Sequence, residues 1–149
     1  MAVLTTDILV ENTKRNEVLE WLSKADNHDR ILQGAWSGTS RTGDRTWDLT
    51  FSAFPKKRTM PYTFERVDDA HGGRRVLCST GGKRTSGTLS YSLRTPRASR
   101  HTMVTLHLDY DPGSVLGAVL DGAGLREGLE GGMRAMLQNL ERELCQDLA

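Results

Sequence analysis

Leu89-Ser90-Tyr91-Ser92-Leu93-Arg94-Thr95-Pro96, followed closely by Val104-Thr105-Leu106-His107-Leu108-Asp109-Tyr110-Asp111-Pro112-Gly113, decides the fold class. Apolar residues fall on every second position of both runs, the period of a strand with one buried face. Thr95-Pro96 and Asp111-Pro112-Gly113 are turn chemistry. The gap between the runs is too short for a crossover helix, so the two strands pair antiparallel. Working backward, the same alternation appears in Val76-Leu77-Cys78. It recurs in Tyr62 and Phe64, a strand that stops at Asp68-Asp69-Ala70-His71-Gly72-Gly73, and in Trp47, Leu49, Phe51 and Ala53, ended by Pro55 and its basic neighbours. Trp36 to Arg41 makes the sixth strand of this series. Leu4, Thr6, Ile8 and Val10 add a seventh over residues 2–11.

Helical spacing flanks the strands. Asn12 and Thr13 are suited to cap a helix whose Val18, Leu19, Trp21 and Leu22 recur three and four apart, and Asp26-Asn27 is read as its break. A second short helix carries Ile31 and Leu32 before Gly34. Beyond Gly113 the apolar positions are Leu116, Leu120, Leu125, Leu129, Met133, Met136, Leu137, Leu140 and Leu144. A straight helix over that span would reach about 50 Å at ~1.5 Å per residue. The stripe slips by five between Leu120 and Leu125, where Gly122 and Gly124 sit. A kink is expected there, with one continuous helix over residues 125–144. The fold class is α+β: a seven-stranded antiparallel sheet, two short helices after strand 1 and a long C-terminal helix.

At 149 residues the chain is expected to form one domain, residues 1–149. A 37% apolar content with 15 Gly is that of an ordinary soluble globular protein. No apolar run approaches the ~18 residues of a bilayer span, and Met1-Ala2-Val3-Leu4-Thr5-Thr6-Asp7 lacks the features of a leader, so a cytoplasmic location is expected. Cys78 and Cys145 stand far apart, which fits a reducing compartment and no disulfide framework. The net charge of +1 conceals an uneven distribution: residues 1–40 hold 4 Lys/Arg and 6 Asp/Glu, residues 41–101 hold 13 and 5, and residues 102–149 hold 3 and 8. The bases of the middle third fall at turn-like places, Lys56-Lys57-Arg58, Arg74-Arg75, Lys83-Arg84, Arg94, Arg97 and Arg100. That pattern fits solubilised hairpin ends, or an anionic partner, better than a nucleic-acid-binding face with interleaved aromatics.

The order of strand, two short helices, six strands and long helix resembles the START-like helix-grip superfamily, which includes polyketide cyclases and lipid-binding proteins. Asn16 to Asn27 is similar to that superfamily's first helix and break. Phe64-Glu65-Arg66-Val67 with Val76-Leu77 resembles its central hairpin, and Gly87-Thr88-Leu89-Ser90-Tyr91 its sixth strand. Tyr110-Asp111-Pro112-Gly113 with Leu116-Gly117 resembles its entry into the last helix. The resemblance spans nearly the whole chain. It implies a curved sheet gripping the helix around an apolar cavity for lipids, sterols, polyketides or similar molecules.

Alternation selects the inward side chains: Trp36, Trp47, Leu49, Phe51, Tyr62, Phe64, Leu89, Tyr91, Val104, Leu106 and Leu108, with Leu125, Leu129, Met133 and Met136 from the helix. Six of the nine aromatic residues are among them. They either fill a solid core or line a ligand cavity. Glycines 122, 124, 128, 131 and 132 crowd one stretch of the helix, at about 1 kcal/mol each against Ala. They provide room for a ligand, a movable segment, or close approach to the sheet. Arg66 follows Phe64 by two and points either inward, towards a ligand oxygen, or to solvent. Tyr62 and Tyr91 offer hydroxyls to a ligand or to the backbone. His28, between the short helices, is a candidate ligand contact at the cavity mouth, whereas His101 and His107 fall out of phase.

Other chemistries lack their residues. Gly82-Lys83 has no P-loop glycine, and Ser37 is one position late for a nucleophile elbow. No His, Cys or carboxylate set has zinc or Rieske spacing, and Asp44, Asp48 and Glu65 do not share a face. The expected function is binding of a hydrophobic small molecule without a cofactor, a metal or nucleic acid. The alternatives are a polyketide cyclase, aromatase or dehydratase using Tyr62, Tyr91 or Arg66, and an interaction protein using the basic 41–101 region. Nothing in the sequence sets an oligomeric state.

Overall fold

A computed structural model describes residues 2–53, 56–68, 74–80, 86–98, 100–111 and 126–148. Seven strands, β1 (Ala2–Val10), β2 (Gly38–Arg41), β3 (Thr46–Ala53), β4 (Lys56–Asp68), β5 (Arg75–Ser79), β6 (Ser86–Arg94) and β7 (Thr102–Asp111), form one antiparallel sheet in the order β1-β7-β6-β5-β4-β3-β2. Helices α1 (Arg15–Leu22) and α2 (Ala25–Leu32) lie between β1 and β2, and α3 (Arg126–Asp147) closes the chain. The alternation reads correctly onto one face: Leu89 pairs with Leu108, Tyr91 with Leu106 and Leu93 with Val104, all six buried. α3 presents Leu129, Met133, Met136, Leu137, Leu140 and Leu144 to that inner face, each at most 1% exposed. Leu125 and the expected kink at Gly122 and Gly124 lie outside the described residues.

Three local expectations change. Asn12 takes a left-handed φ of 55° and Thr13 is buried, so this pair turns the chain and α1 starts later. The Glu17 carboxylate there accepts the Lys14 N–H at 3.1 Å. The break between the short helices falls at Ser23-Lys24, and Asp26-Asn27 belong to the first turn of α2. Asn27 works across that joint, donating to the Trp21 carbonyl at the end of α1 at 2.9 Å. Lys56-Lys57-Arg58 forms the first part of β4, paired with Ala53, Ser52 and Phe51. Pro61 is tolerated in that strand because, among the described residues, β4 pairs with β5 from Thr63 onward, so the missing N–H interrupts none of those rungs.

α2 is held from α3. Asn139, buried inside the apolar stripe, donates to the Ile31 and Gln33 carbonyls at 3.1 and 3.2 Å, satisfying acceptors left open at the end of α2. Arg30 reaches Asp147 at 2.6 Å and Glu143 at 2.5 Å, and Asp147 also accepts the Trp21 indole N–H at 2.8 Å. Together these fix α1 and α2 across one end of the grip. No helix among the described residues is long and apolar enough to cross a membrane.

Candidate functional site

α2 turns His28, Ile31 and Leu32 inward at i, i+3 and i+4, and all three are fully buried. His28 therefore lies in the interior rather than at a mouth. Its ring stacks on Phe64 with centroids 4.4 Å apart and lies near Trp47, Tyr62 and Tyr91. Nε2 is 2.7 Å from the Leu22 carbonyl, which can only accept, so Nε2 carries the proton. Burial pushes the imidazole down to about 4 despite that bond, so the ring is neutral at pH 7 and Nδ1 accepts. The Tyr62 hydroxyl donates to Nδ1 at 2.7 Å. In turn the Tyr62 oxygen receives the Tyr91 hydroxyl at 2.7 Å and the Cys78 thiol at 3.3 Å. Burial raises Tyr62 and Tyr91 well above the usual phenol range and pushes the Cys78 thiol up to about 12, so every donor in the chain keeps its proton.

Direction in this network is therefore fixed from both ends. Tyr62 is saturated, with one bond donated and two accepted, while the Tyr91 oxygen donates one and retains its acceptor capacity. Sequence reading assigned the tyrosines to a ligand or to the backbone. The structure joins them to each other and to a histidine. The signal that could have found His28 is its spacing to Ile31 and Leu32.

Of the inward set, Trp36, Trp47, Leu49, Phe51, Tyr62, Phe64, Leu89, Tyr91, Val104, Leu106, Leu108, Leu129, Met133 and Met136 are all buried. Arg66 is not. Between Phe64 and Arg66 the β4–β5 register advances two residues against one, from Cys78 to Leu77. This bulge at Glu65 reverses the alternation and leaves Arg66 exposed. Arg45 takes the place near the core instead. Its guanidinium sits 4.3 Å from the Phe64 ring centroid and donates to the Phe64 and Glu65 carbonyls at 3.1 and 3.2 Å. His107 is exposed, as its phase requires, and His101 accepts the Asn12 N–H.

A groove of about 240 Å³ opens where the α2–β2 connection, β3 and α3 meet, lined by Ala35, Trp36, Ser37, Phe51, Glu127, Gly128, Gly131 and Gly132. Gly34 makes the approach possible, since its φ of +79° reverses the chain after α2. Ser37 then anchors the connection by donating to the Thr50 carbonyl at 2.8 Å. Trp36 is delivered onto the helix, where a Cβ on Gly132 would lie 2.3 Å from its ring. Close approach thus explains Gly132. Gly131 has nothing within 4 Å of the corresponding position.

The basic middle third is partly engaged within the chain. Arg41 pairs with Asp26 at 2.9 Å and lies over Trp47, and Arg75 pairs with Asp68. Among the described residues no group of three or more His, Cys, Asp or Glu side chains could hold a metal ion.

No protein-family model and no curated protein matches the chain. Solved structures do. Norcoclaurine synthase from Thalictrum flavum, a point mutant in complex with a transition-state analogue, is 16% identical over 99% of this chain and 96% of its own, with a TM-score of 0.66. The same enzyme in complex with dopamine and hydroxybenzaldehyde is 15% identical over 97% and 87%, with a TM-score of 0.64. KanY is 17% identical over 96% and 97%, with a TM-score of 0.68. A protein from Thermus thermophilus, TTHA0849, is 15% identical over 99% and 100%, with a TM-score of 0.69. Identities this low speak for architecture, and they agree with the strand order and with the helix seated on the sheet: the chain is built on the START-like helix-grip fold.

Proposed function

We propose that the chain binds a hydrophobic small molecule between the sheet and α3. The observation that carries this reading is the groove at Trp36 and Phe51: two aromatic side chains meet glycines on the helix, leaving an apolar recess that opens to solvent. A fold hosts many functions, so the reading rests on this recess more than on the architecture. The complex of norcoclaurine synthase with dopamine and hydroxybenzaldehyde supports small-molecule binding by a chain of this shape. The test is saturable uptake of 1-aminoanthracene, followed by its fluorescence, with the melting temperature taken on the same samples. One site per chain is expected, and Gly131→Leu should fill the recess and abolish uptake without lowering the melting temperature. A folded native protein that takes up no probe would end the proposal.

One observation favours a second reading, a cyclase- or dehydratase-type reaction. Tyr62 donates to a neutral imidazole and Tyr91 accepts nothing among the described residues, so a Tyr91 hydroxyl turned towards a substrate carbonyl would polarise it by a hydrogen bond while keeping its proton. Arg66, exposed on the far side of the bulge, has no part in it. Tyr91→Phe lowering turnover while leaving probe uptake unchanged would favour this reading over simple binding.

A further inference from the structure

We propose that the end of the sheet formed by the β6–β7 turn and the start of α1 is a docking surface for an anionic phospholipid bilayer. Separate stretches of chain meet there. The Asn12 N–H donates to His101 Nδ1 at 3.0 Å and the Thr102 hydroxyl donates to the Thr13 carbonyl at 2.6 Å, which ties the lead-in to α1 to the start of β7. The Leu93 N–H donates to the Arg74 carbonyl at 2.8 Å, and the Arg74 guanidinium reaches the Asn16 side chain at 3.4 Å. These contacts gather Arg15, Arg74, Arg75, Arg94, Arg97 and Arg100 at one end of the molecule.

Little within the chain answers this charge. Arg75 pairs with Asp68. Arg94, Arg97 and Arg100 are exposed and have no ion-pair or hydrogen-bond partner among the described residues. Asp7, Glu11 and Glu17 are the acids nearby, and they belong to β1 and to α1 with its lead-in, not to the turn. Arg97 takes a φ of 47° and a ψ of 45°, a left-handed conformation that glycine or asparagine adopts more readily, so the turn itself does not call for arginine.

The apolar residues of this surface indicate the partner. On the outer face of the sheet Arg94 pairs with Met103, and Met103 with Leu9, and both apolar side chains are half-buried. A bilayer surface matches that row, because its phosphates take guanidinium groups and its acyl boundary takes leucine and methionine. A single-stranded nucleic acid offers phosphates but calls for aromatic side chains on which its bases stack, and every described aromatic side chain is buried. A small anion calls for an enclosing recess, and the groove beside this surface is lined by Glu11 and Glu17 instead.

The experiment is co-sedimentation of the chain with phosphatidylcholine vesicles, with and without phosphatidylserine, and with polyuridylate in parallel. The native protein should bind the phosphatidylserine vesicles, release them as salt is raised, ignore pure phosphatidylcholine and bind polyuridylate more weakly. Each arginine at such a surface is worth about fivefold, so Arg94→Gln, Arg97→Gln and Arg100→Gln together should weaken vesicle binding about a hundredfold at an unchanged melting temperature. Lys24→Gln, Arg134→Gln and Arg142→Gln remove the same charge elsewhere and should bind as the native protein does. An equal loss in this second variant would assign the binding to net charge and overturn the surface. Native protein that ignores phosphatidylserine vesicles, or prefers polyuridylate, would overturn it too, and those readouts need no variant. The surface shares no residue with the groove at Trp36, so a protein that takes up 1-aminoanthracene and ignores vesicles refutes this proposal alone.

Discussion

Lowering the pH from 7.5 to 4.5 should remove about 2.5 kcal/mol of stability through His28 alone, if its pKa is about 4 in the folded chain against 6.5 unfolded. The sign follows from proton uptake. Above 6.5 neither state holds the proton; between 6.5 and 4 the unfolded chain binds it and the folded chain refuses it, so stability falls as the pH falls. The refusal has a structural cause: burial strips the ring of the water that would solvate a charge, Arg45 adds a like charge nearby, and a protonated Nδ1 would face the Tyr62 hydroxyl as a second donor. His28→Phe keeps a ring against Phe64 and removes the titration. At pH 7.5 it should destabilise, because the Tyr62 hydroxyl and the Leu22 carbonyl each lose a partner, at about 1–3 kcal/mol per buried group. Its deficit against the native chain should then shrink by about 2.5 kcal/mol at pH 4.5. Urea unfolding of both proteins at the two pH values gives the double difference, in which the carboxylates common to both cancel. A deficit that stays constant between pH 7.5 and 4.5, or an imidazole signal titrating near 6.5 in the folded protein, would refute the buried neutral network.

Adjacent glycines on α3 should respond oppositely to the same methyl group. Gly131→Ala enters open space and should stabilise by up to about 1 kcal/mol in chemical denaturation, whereas Gly132→Ala must drive Trp36 back by at least 3.4 − 2.3 = 1.1 Å and should destabilise, overpacking costing about 1–3 kcal/mol against that gain. Asp147 defines a second acid window: Arg30 and the Trp21 indole hold its carboxyl down at about 2, so its contribution is complete above 3.8 and is lost as the pH falls through 2. Arg30→Met should return the Asp147 carboxyl resonance towards an ordinary midpoint and flatten the melting temperature's dependence on pH below 4.

Strand alternation at Leu89, Tyr91, Leu93, Val104, Leu106 and Leu108, and the stripe from Leu129 to Leu144, were legible because burial repeats with the period of the local backbone, and period is a property of sequence. The antiparallel meander followed from connection lengths alone. Alternation, which assumes an unbroken ladder, could not decide between the inward and the solvent position of Arg66, because the bulge at Glu65 exists only where β4 meets β5 and the Arg45 side chain holds the Phe64 and Glu65 carbonyls. Gly131 and Gly132 look alike in sequence, yet one meets an indole delivered from 96 residues earlier and the other meets nothing. His28, Tyr62, Cys78 and Tyr91 come from one helix and three strands, so their hydrogen-bond chain was set by how α2 docks, which in turn depends on Asn139 and Arg30. Sequence determined the elements and their buried faces, since these depend on neighbours within a few residues. Tertiary structure decided which polar atoms were paired and which, like Trp36 Nε1, found no partner among the described residues, because a hydrogen bond depends on two groups brought together from distant parts of the chain.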